Sequence, residues 1–97
     1  MAYVVSAKWR AKPGKEERLK ALIEEMTEPS RAEPGNVYYQ AQRSIEDPQL
    51  FYLYEQYVDE DGYKAHQATD AFKENILGKV VPMLESRQRN FYEVVEP

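Results

Sequence analysis

The sequence contains no cysteine, and His66 is its only histidine. Without cysteine, the chain forms no disulfide bond and offers no thiolate for catalysis or metal binding. A metal site would then depend on carboxylates, yet the acidic stretch YVDEDG fails the calcium-loop pattern because Tyr57 stands where the first acidic ligand belongs. The sequence therefore predicts no bound metal, and His66 is the one imidazole whose role needs an explanation.

The sequence signals of membrane, nucleotide and nucleic-acid binding are also missing. No apolar run approaches the ~20 residues of a membrane span, and the N-terminus MAYVVSAKWR lacks the order of a secretion signal. No glycine-rich phosphate loop is present, so no nucleotide cofactor is predicted. The net charge is −4, and no basic residues cluster as they do in nucleic-acid-binding proteins. We expect a cytoplasmic protein that binds neither membranes nor nucleic acid.

The composition is that of one small globular domain. Apolar residues make up 42% and charged residues 31% of the chain, which suits a soluble domain spanning residues 1–97. In residues 3–10, apolar side chains recur at every second position, which is the period of a strand. The stretch KPGKEE then starts a helix whose apolar residues recur at helical spacing until Pro29, which is expected to end or kink it.

The strands and helices predicted after the first helix complete the element order of a known fold type. After an EPG turn, in which Gly35 is free to take a positive φ, residues 36–44 and 49–58 predict two strands of a hairpin joined by IEDP. Asp59 suits the N-cap of a second helix, and a further helical stretch runs from Phe72 to about Leu84. RNFYEVVE predicts a fourth strand. The order β-α-β-β-α-β predicts an α+β fold of the ferredoxin-like type with an antiparallel sheet.

The third strand indicates how the sheet is covered. Two helices cover one face of such a sheet, yet this strand is apolar on both faces, with Phe51, Leu53 and Tyr57 on one and Leu50, Tyr52, Tyr54 and Val58 on the other. A strand buried on both faces loses its alternation. A second copy of the chain is the simplest cover for the other face, so the sequence predicts a homodimer.

Three local patterns support a family resemblance. They are EPGN before the second strand, FYLYEQYVDEDGYKAH across the third strand and second helix, and HQATDAFK after it. In this order the chain resembles the antibiotic biosynthesis monooxygenase (ABM) family of dimeric α/β barrels over nearly its whole length. The resemblance implies two facing sheets and a pocket in each subunit between sheet and helices. The implied activities include cofactor-free oxygenation of quinol-like or anthrone-like aromatics and isomerisation of a phosphorylated sugar derivative.

The motif around His66 matches the family only in part. Many members carry His-x-x-Thr-Pro-His-Phe, to which His66, Thr69 and Phe72 correspond. Asp70 and Ala71 replace the proline and the second histidine, which puts any two-histidine mechanism in doubt. A haem-degrading branch uses an axial histidine that this sequence lacks, so neither haem nor another cofactor is predicted.

His66 is the predicted catalytic residue. Its helical spacing places it at the border between core and exterior, at the rim of a pocket. An imidazole titrates near neutral pH, so it is suited to remove a proton from a phenol or an acidic C–H, or to hold the resulting oxyanion. The alternative is a partly exposed histidine that bonds to a neighbour or to water and does no chemistry.

Five further residues are predicted to bind the substrate: Trp9, Asn36, Glu55, Tyr57 and Phe72. Glu55 lies in the apolar third strand, where an unpaired carboxylate is costly, so it is either a hydrogen-bond anchor or a pocket acid. Asn36 is either a turn residue or a substrate contact. The aromatic residues are walls of the core or of the pocket.

These observations predict a homodimeric, cofactor-independent monooxygenase of a small aromatic or quinol-like substrate. One alternative is an isomerase of a small hydroxy-ketone, and another is a non-catalytic dimeric ligand-binding module. An isomerase of a phosphorylated substrate needs cations in the pocket, for which Arg43, Lys64 and Lys73 are the nearest candidates. RNA-binding domains share the element order, but the acidic charge and the missing Lys/Arg-Gly-Phe signature argue against that class.

Overall fold

The computed structural model describes residues 2–96 and has the predicted ferredoxin-like α+β order, with the second helical part split into segments. The strands are β1 (Tyr3–Ala11), β2 (Asn36–Arg43), β3 (Leu50–Tyr57) and β4 (Leu84–Glu93). The helices are α1 (Glu16–Arg31) and α2 (Glu60–Ala68), followed by a π-helix (Phe72–Val80) and a 3-10 turn (Val81–Met83). No helix within residues 2–96 has the length and apolar character needed to cross a membrane.

The strands of the described chain form one antiparallel sheet in the order β2-β3-β1-β4. In β3, buried residues alternate with half-buried ones, and the buried side chains Phe51 and Leu53 join the core that the sheet shares with α1. On the same face, Glu55 lies between Val5 of β1 and Tyr39 of β2. The helix-facing side of the sheet therefore carries a carboxyl group within an otherwise apolar and aromatic row.

Helix α1 packs on this face through residues at helical spacing: Leu19, Leu22, Ile23 and Met26. The turn before it contains Gly14, whose φ of +85° lies in the left-handed region that favours glycine. Pro29 does not end the helix, which continues to Arg31. A proline in the last turn removes one backbone hydrogen bond near the helix end, so its effect on the rest of the helix is small.

The second helical part begins as predicted and then departs from an α-helix. Asp59 caps α2 by accepting a hydrogen bond of 2.9 Å from the backbone N–H of Gly62. In the π-helix the buried residues Phe72, Ile76 and Val80 recur every fourth position. Leu77, which directly follows Ile76, is 49% exposed. A π-helix has more residues per turn than an α-helix, so a regular spacing of four keeps these three residues on one face.

Strand β4 begins five residues earlier than the predicted stretch RNFYEVVE, whose first residue is Arg89. It pairs with β1 from Ala11 opposite Leu84 to Tyr3 opposite Glu93. Because β4 lies at an edge of the sheet, most of its residues are exposed. Its first half therefore lacks the apolar alternation that identifies a strand in a sequence.

The face of the sheet opposite the helices is aromatic and only partly covered within one chain. Tyr52 and Tyr54 of β3 are half-buried there. Tyr38 of β2 meets Tyr54 edge-on with ring centroids 5.7 Å apart, and Tyr92 of β4 is 56% exposed. We call this surface the open sheet face.

Candidate active site

A pocket of about 200 Å³ opens between α1, α2 and the π-helix. Its apolar wall is formed by Met26, Pro29, Phe72 and Ile76, and the polar side chains that reach it include Glu25, Glu33 and His66. Helices make this wall, whereas the family resemblance implied a pocket between helices and sheet. The sheet residues that lie nearest to the pocket are one layer deeper than this wall, behind His66.

His66 lies on the pocket wall and is 7% exposed, which is deeper than the border position expected from its helical spacing. Its Nδ1 is 2.7 Å from Glu33 Oε1, a hydrogen-bond distance. Its Nε2 faces Glu55 Oε1 at 3.8 Å. The Phe72 ring meets the imidazole edge-on with centroids 5.3 Å apart, and the Tyr57 ring lies tilted at 5.6 Å. The Tyr63 ring stacks on the imidazole at 6.3 Å, so two carboxyl groups and three aromatic rings surround it.

Glu55 is buried behind His66 and accepts a hydrogen bond of 2.6 Å from the Tyr57 hydroxyl. Burial raises the pKa of Glu55, although the hydrogen bond from Tyr57 and the proximity of His66 act in the opposite direction. Burial, and secondly the Glu55 carboxylate, also raise the pKa values of Tyr57 and Tyr39. These buried groups therefore hold their protons to higher pH than the same groups in water.

A contact between two glycines brings Glu33 to His66. A Cβ added to Gly35 would lie 2.8 Å from the Cα of Gly62, so the turn after α1 packs directly on the first turn of α2. Gly62 and His66 are four residues apart on α2 and share a face. Glu33, two residues before Gly35, therefore lies beside the imidazole. Gly35 does not adopt a positive φ, and its value to the fold is this close approach.

Four of the predicted site residues lie close together. His66 and Phe72 line the pocket, and Glu55 and Tyr57 lie directly behind the imidazole. Their functional roles stay predictions, but their positions are compatible with one reaction centre.

Trp9 and Asn36 are placed elsewhere. Trp9 is 3% exposed and belongs to the core between the sheet and α1, outside the pocket lining. Asn36 begins β2, and its side-chain amide donates a hydrogen bond of 3.3 Å to the Tyr38 carbonyl. Of the two interpretations given for each residue, the core fits the position of Trp9, and the turn before β2 fits that of Asn36.

Glu33 was missed by the sequence analysis, which treated it as part of the EPG turn. One signal was available, because Glu33 begins the EPGN pattern that carries the family resemblance. A carboxylate directly before a Pro-Gly turn is held by a constrained backbone. That position differs from an exposed helix face, where glutamates such as Glu17, Glu24 and Glu28 lie.

The candidate cations lie outside the pocket. Arg43 and Lys64 form ion pairs elsewhere on the surface, and Lys73 is exposed. Among the described residues that line the pocket, none is a lysine or arginine, whereas Glu25 and Glu33 are acidic. Within residues 2–96, no three carboxyl or imidazole groups cluster in a way that would hold a metal ion.

Comparison with protein families and solved structures agrees with this fold. The sequence profile of the antibiotic biosynthesis monooxygenase family matches residues 2–76, whereas no functionally curated protein matches the chain. A solved structure from Pseudomonas aeruginosa is similar with a TM-score of 0.91 and 26% identity, covering 98% of this chain and 95% of that protein. One from Nitrosomonas europaea, named for the same family, has a TM-score of 0.90 and 28% identity, covering 97% and 99%. The chain therefore belongs to the antibiotic biosynthesis monooxygenase family.

Proposed function

We propose that the protein is a cofactor-independent monooxygenase of a small aromatic, quinol-like substrate. The observation that carries this proposal is the Glu33–His66 pair, which is joined at 2.7 Å on the wall of the pocket. Such a pair offers a proton acceptor beside the apolar wall of the pocket. Membership of the family supports oxygen chemistry as the use of the site.

The proposed reaction needs no bound redox group. Removal of a proton from a quinol leaves an electron-rich anion, which transfers an electron to dioxygen, and the two products combine into a C–O bond. Loss of water from the resulting peroxide gives a hydroxyquinone. One oxygen atom enters the product, and the other leaves in water with two hydrogen atoms from the quinol. The protein supplies the proton acceptor and an apolar wall against which the ring of the substrate packs.

The pocket favours a neutral substrate with one ring. Its volume of about 200 Å³ is slightly larger than a cavity of roughly 150 Å³ that holds benzene. A three-ring anthrone is therefore too large for the pocket as it stands. Glu25 and Glu33 repel anions, and no lysine or arginine among the described lining residues offsets them. Hydroquinones and catechols are neutral and have a single ring, so they meet both conditions.

We expect the purified, metal-free protein to consume dioxygen with at least one hydroquinone or catechol faster than that compound autoxidises. His66→Ala is expected to slow the catalysed rate by at least about tenfold, because the proton-accepting pair loses its imidazole. An oxygen electrode measures the rate, and Lys64→Ala on the exposed face of α2 is the control. Uptake that survives His66→Ala would give the histidine a purely structural role.

A proton-transferring isomerase is the second candidate. The observation in its favour is a pocket carboxylate beside an imidazole, the residue types that move a proton between adjacent carbons in enediol chemistry. Its hydroxy-ketone substrate would have to lack phosphate, because the pocket is acidic. Turnover under argon distinguishes it from an oxygenase. Binding without turnover under either atmosphere would indicate the ligand-binding module.

We also propose a homodimer in which the open sheet faces of two copies pack together. The half-buried Tyr52 and Tyr54 and the exposed Tyr38 and Tyr92 support this arrangement, because a soluble monomer rarely leaves so broad an aromatic surface in water. As predicted from the sequence, each copy would be one domain of residues 1–97. A cytoplasmic location stays a prediction.

The dimer is expected to dissociate when Tyr54 is replaced by glutamate. Two-fold symmetry would bring the new charge into the interface on both copies, where an unpaired buried carboxylate is costly. Sedimentation velocity measures the change of mass. Ile45→Glu introduces the same charge at the fully exposed tip of the β2–β3 hairpin and should leave the dimer intact. A monomeric wild type would contradict the proposal.

A further inference from the structure

We infer that Glu33 is the residue that accepts the substrate's proton and that His66 is its positioning residue. Only the choice of pocket depends on the proposed function, because this proton transfer requires no dioxygen. The role of proton acceptor, which the sequence predicted for His66, is thus assigned to Glu33, which comes from a different part of the chain.

The imidazole of His66 offers no free nitrogen to the pocket. Nδ1 is directed at Glu33 at 2.7 Å, and Nε2 faces Glu55 at 3.8 Å on the sheet side. The ring is 7% exposed, and Phe72 covers it edge-on. A general base needs a lone pair that points at the proton it removes. With both nitrogens turned towards carboxyl groups, the ring lacks such a lone pair on the pocket side.

Glu33 offers the free lone pair that the imidazole lacks on the pocket side. Its side chain lines the pocket and is 21% exposed, whereas the Glu55 side chain is 9% exposed and lies behind the ring. Glu33 Oε1 is bound to His66, and Oε2 accepts no hydrogen bond from any of residues 2–96. Oε2 is therefore the oxygen of Glu33 that is left to accept a proton from a substrate in the pocket.

The backbone around Glu33 is held on both sides. The Glu33 N–H donates to the Ser30 carbonyl at 3.2 Å, and the Asn36 N–H donates to the Glu33 carbonyl at 3.0 Å. The contact between Gly35 and Gly62 fixes the turn against α2. A carboxylate on so constrained a turn loses little freedom when a substrate binds, which favours its use as a positioned base.

The proposed step is a single proton transfer. Glu33 Oε2 accepts the proton of a substrate O–H or acidic C–H, and the bonding electron pair stays on the substrate as an anion. One O–H or C–H bond breaks, one carboxyl O–H bond forms, and no electron is exchanged. The Nδ1–H of His66 donates to Oε1 and so keeps Oε2 turned to the substrate. Glu55 faces the other nitrogen and limits rotation of the ring.

Hydrogen exchange under argon tests this step without dioxygen. The probe is 2-indanone, a neutral ketone with one aromatic ring fused to a five-membered ring and with acidic C–H bonds, whose α-proton signals disappear in D₂O and are followed by proton NMR. Wild-type protein is expected to accelerate the loss. Glu33→Gln still accepts the bond from Nδ1–H, yet it should reduce the catalysed rate by at least about 100-fold, because a neutral amide is not a base. His66→Gln leaves the carboxylate in place and should cost only about tenfold.

Nitrogen-15 NMR of the imidazole gives a second readout that does not depend on turnover. With one histidine in the chain, its ring signals are unambiguous. In the neutral ring, Nδ1 is expected to carry the proton, because the partner of a ring nitrogen selects the tautomer. Glu33→Gln should keep this tautomer, which would show that its lost exchange comes from the missing base and not from a displaced ring. Glu24→Gln, on the exposed side of α1 and outside the pocket, is the control for exchange.

Three results would overturn the assignment of Glu33. They are exchange that survives Glu33→Gln but not His66→Gln, no exchange by the wild type, and a proton on Nε2 instead of Nδ1 in the neutral wild-type ring. Failure of the proposed oxygenase looks different. Exchange and tautomer would then be as expected, while no hydroquinone or catechol consumed dioxygen.

Discussion

Alanine at position 35 is expected to lower the free energy of unfolding by about 1–3 kcal/mol, the usual cost of forcing extra volume into a packed site. The added Cβ would lie 2.8 Å from the Cα of Gly62, closer than real Cβ contacts allow. The Cβ is fixed directly to the backbone of residue 35 and its neighbour is a backbone atom, so neither yields by a side-chain rotation, and the turn has to move away from α2. Because this turn carries Glu33, the change should also separate Glu33 from His66.

Denaturant unfolding followed by circular dichroism measures this loss, and Gly78→Ala provides a matched control. A Cβ at Gly78 would lie 3.5 Å from the Lys73 carbonyl oxygen, an ordinary contact, and Gly78 has no positive φ. Alanine there should leave stability unchanged or raise it by less than about 1 kcal/mol, through a less flexible unfolded chain. Equal stabilities of the two variants would contradict the close approach of the turn to α2.

The second large effect is a dependence of stability on pH that originates at Glu55. Burial raises the pKa of this carboxyl in the folded protein above its ordinary value of 4.5, so the folded state holds a proton that the unfolded chain has released. Stability from this group is present below that ordinary value and is lost as pH rises towards the raised pKa. The loss approaches about 1.4 kcal/mol per pH unit for one proton. The ionisable groups around it are Glu33, Tyr39, Tyr57, Tyr63, His66 and Arg87.

Glu55→Gln tests this dependence, because the amide stays neutral at every pH and still accepts the hydrogen bond from Tyr57. Free energies of unfolding from urea titrations between pH 4 and 7 are compared for the two proteins. The stability of the glutamine variant relative to wild type should rise steadily with pH. Glu85→Gln makes the same chemical change at an exposed position of β4 and should give a flat difference. A flat difference at Glu55 would mean that the pKa of its carboxyl is the same in the folded and the unfolded protein.

The element order could be predicted because most elements leave a local pattern. The alternation of β1, the apolar spacing of α1 and the Asp59 cap each depend on residues within a few positions of one another. Strand β4 was placed too late because its first half is stabilised by pairing with β1 at a sheet edge, which its own side chains do not reveal. The π-helix and the continuation of α1 past Pro29 depend in the same way on the packing around them.

The sequence alone determined the family resemblance, the fold class, and the choice of His66 and Glu55 as chemically unusual residues. Tertiary structure decided which groups meet. Glu33 and His66 are 33 positions apart and become partners because Gly35 packs on Gly62. The same packing places Glu55 behind the imidazole and leaves the pocket wall acidic. Periodicity and capping are relations between near neighbours in the chain, whereas the protonation and reach of a side chain depend on every charged group that folding brings near it.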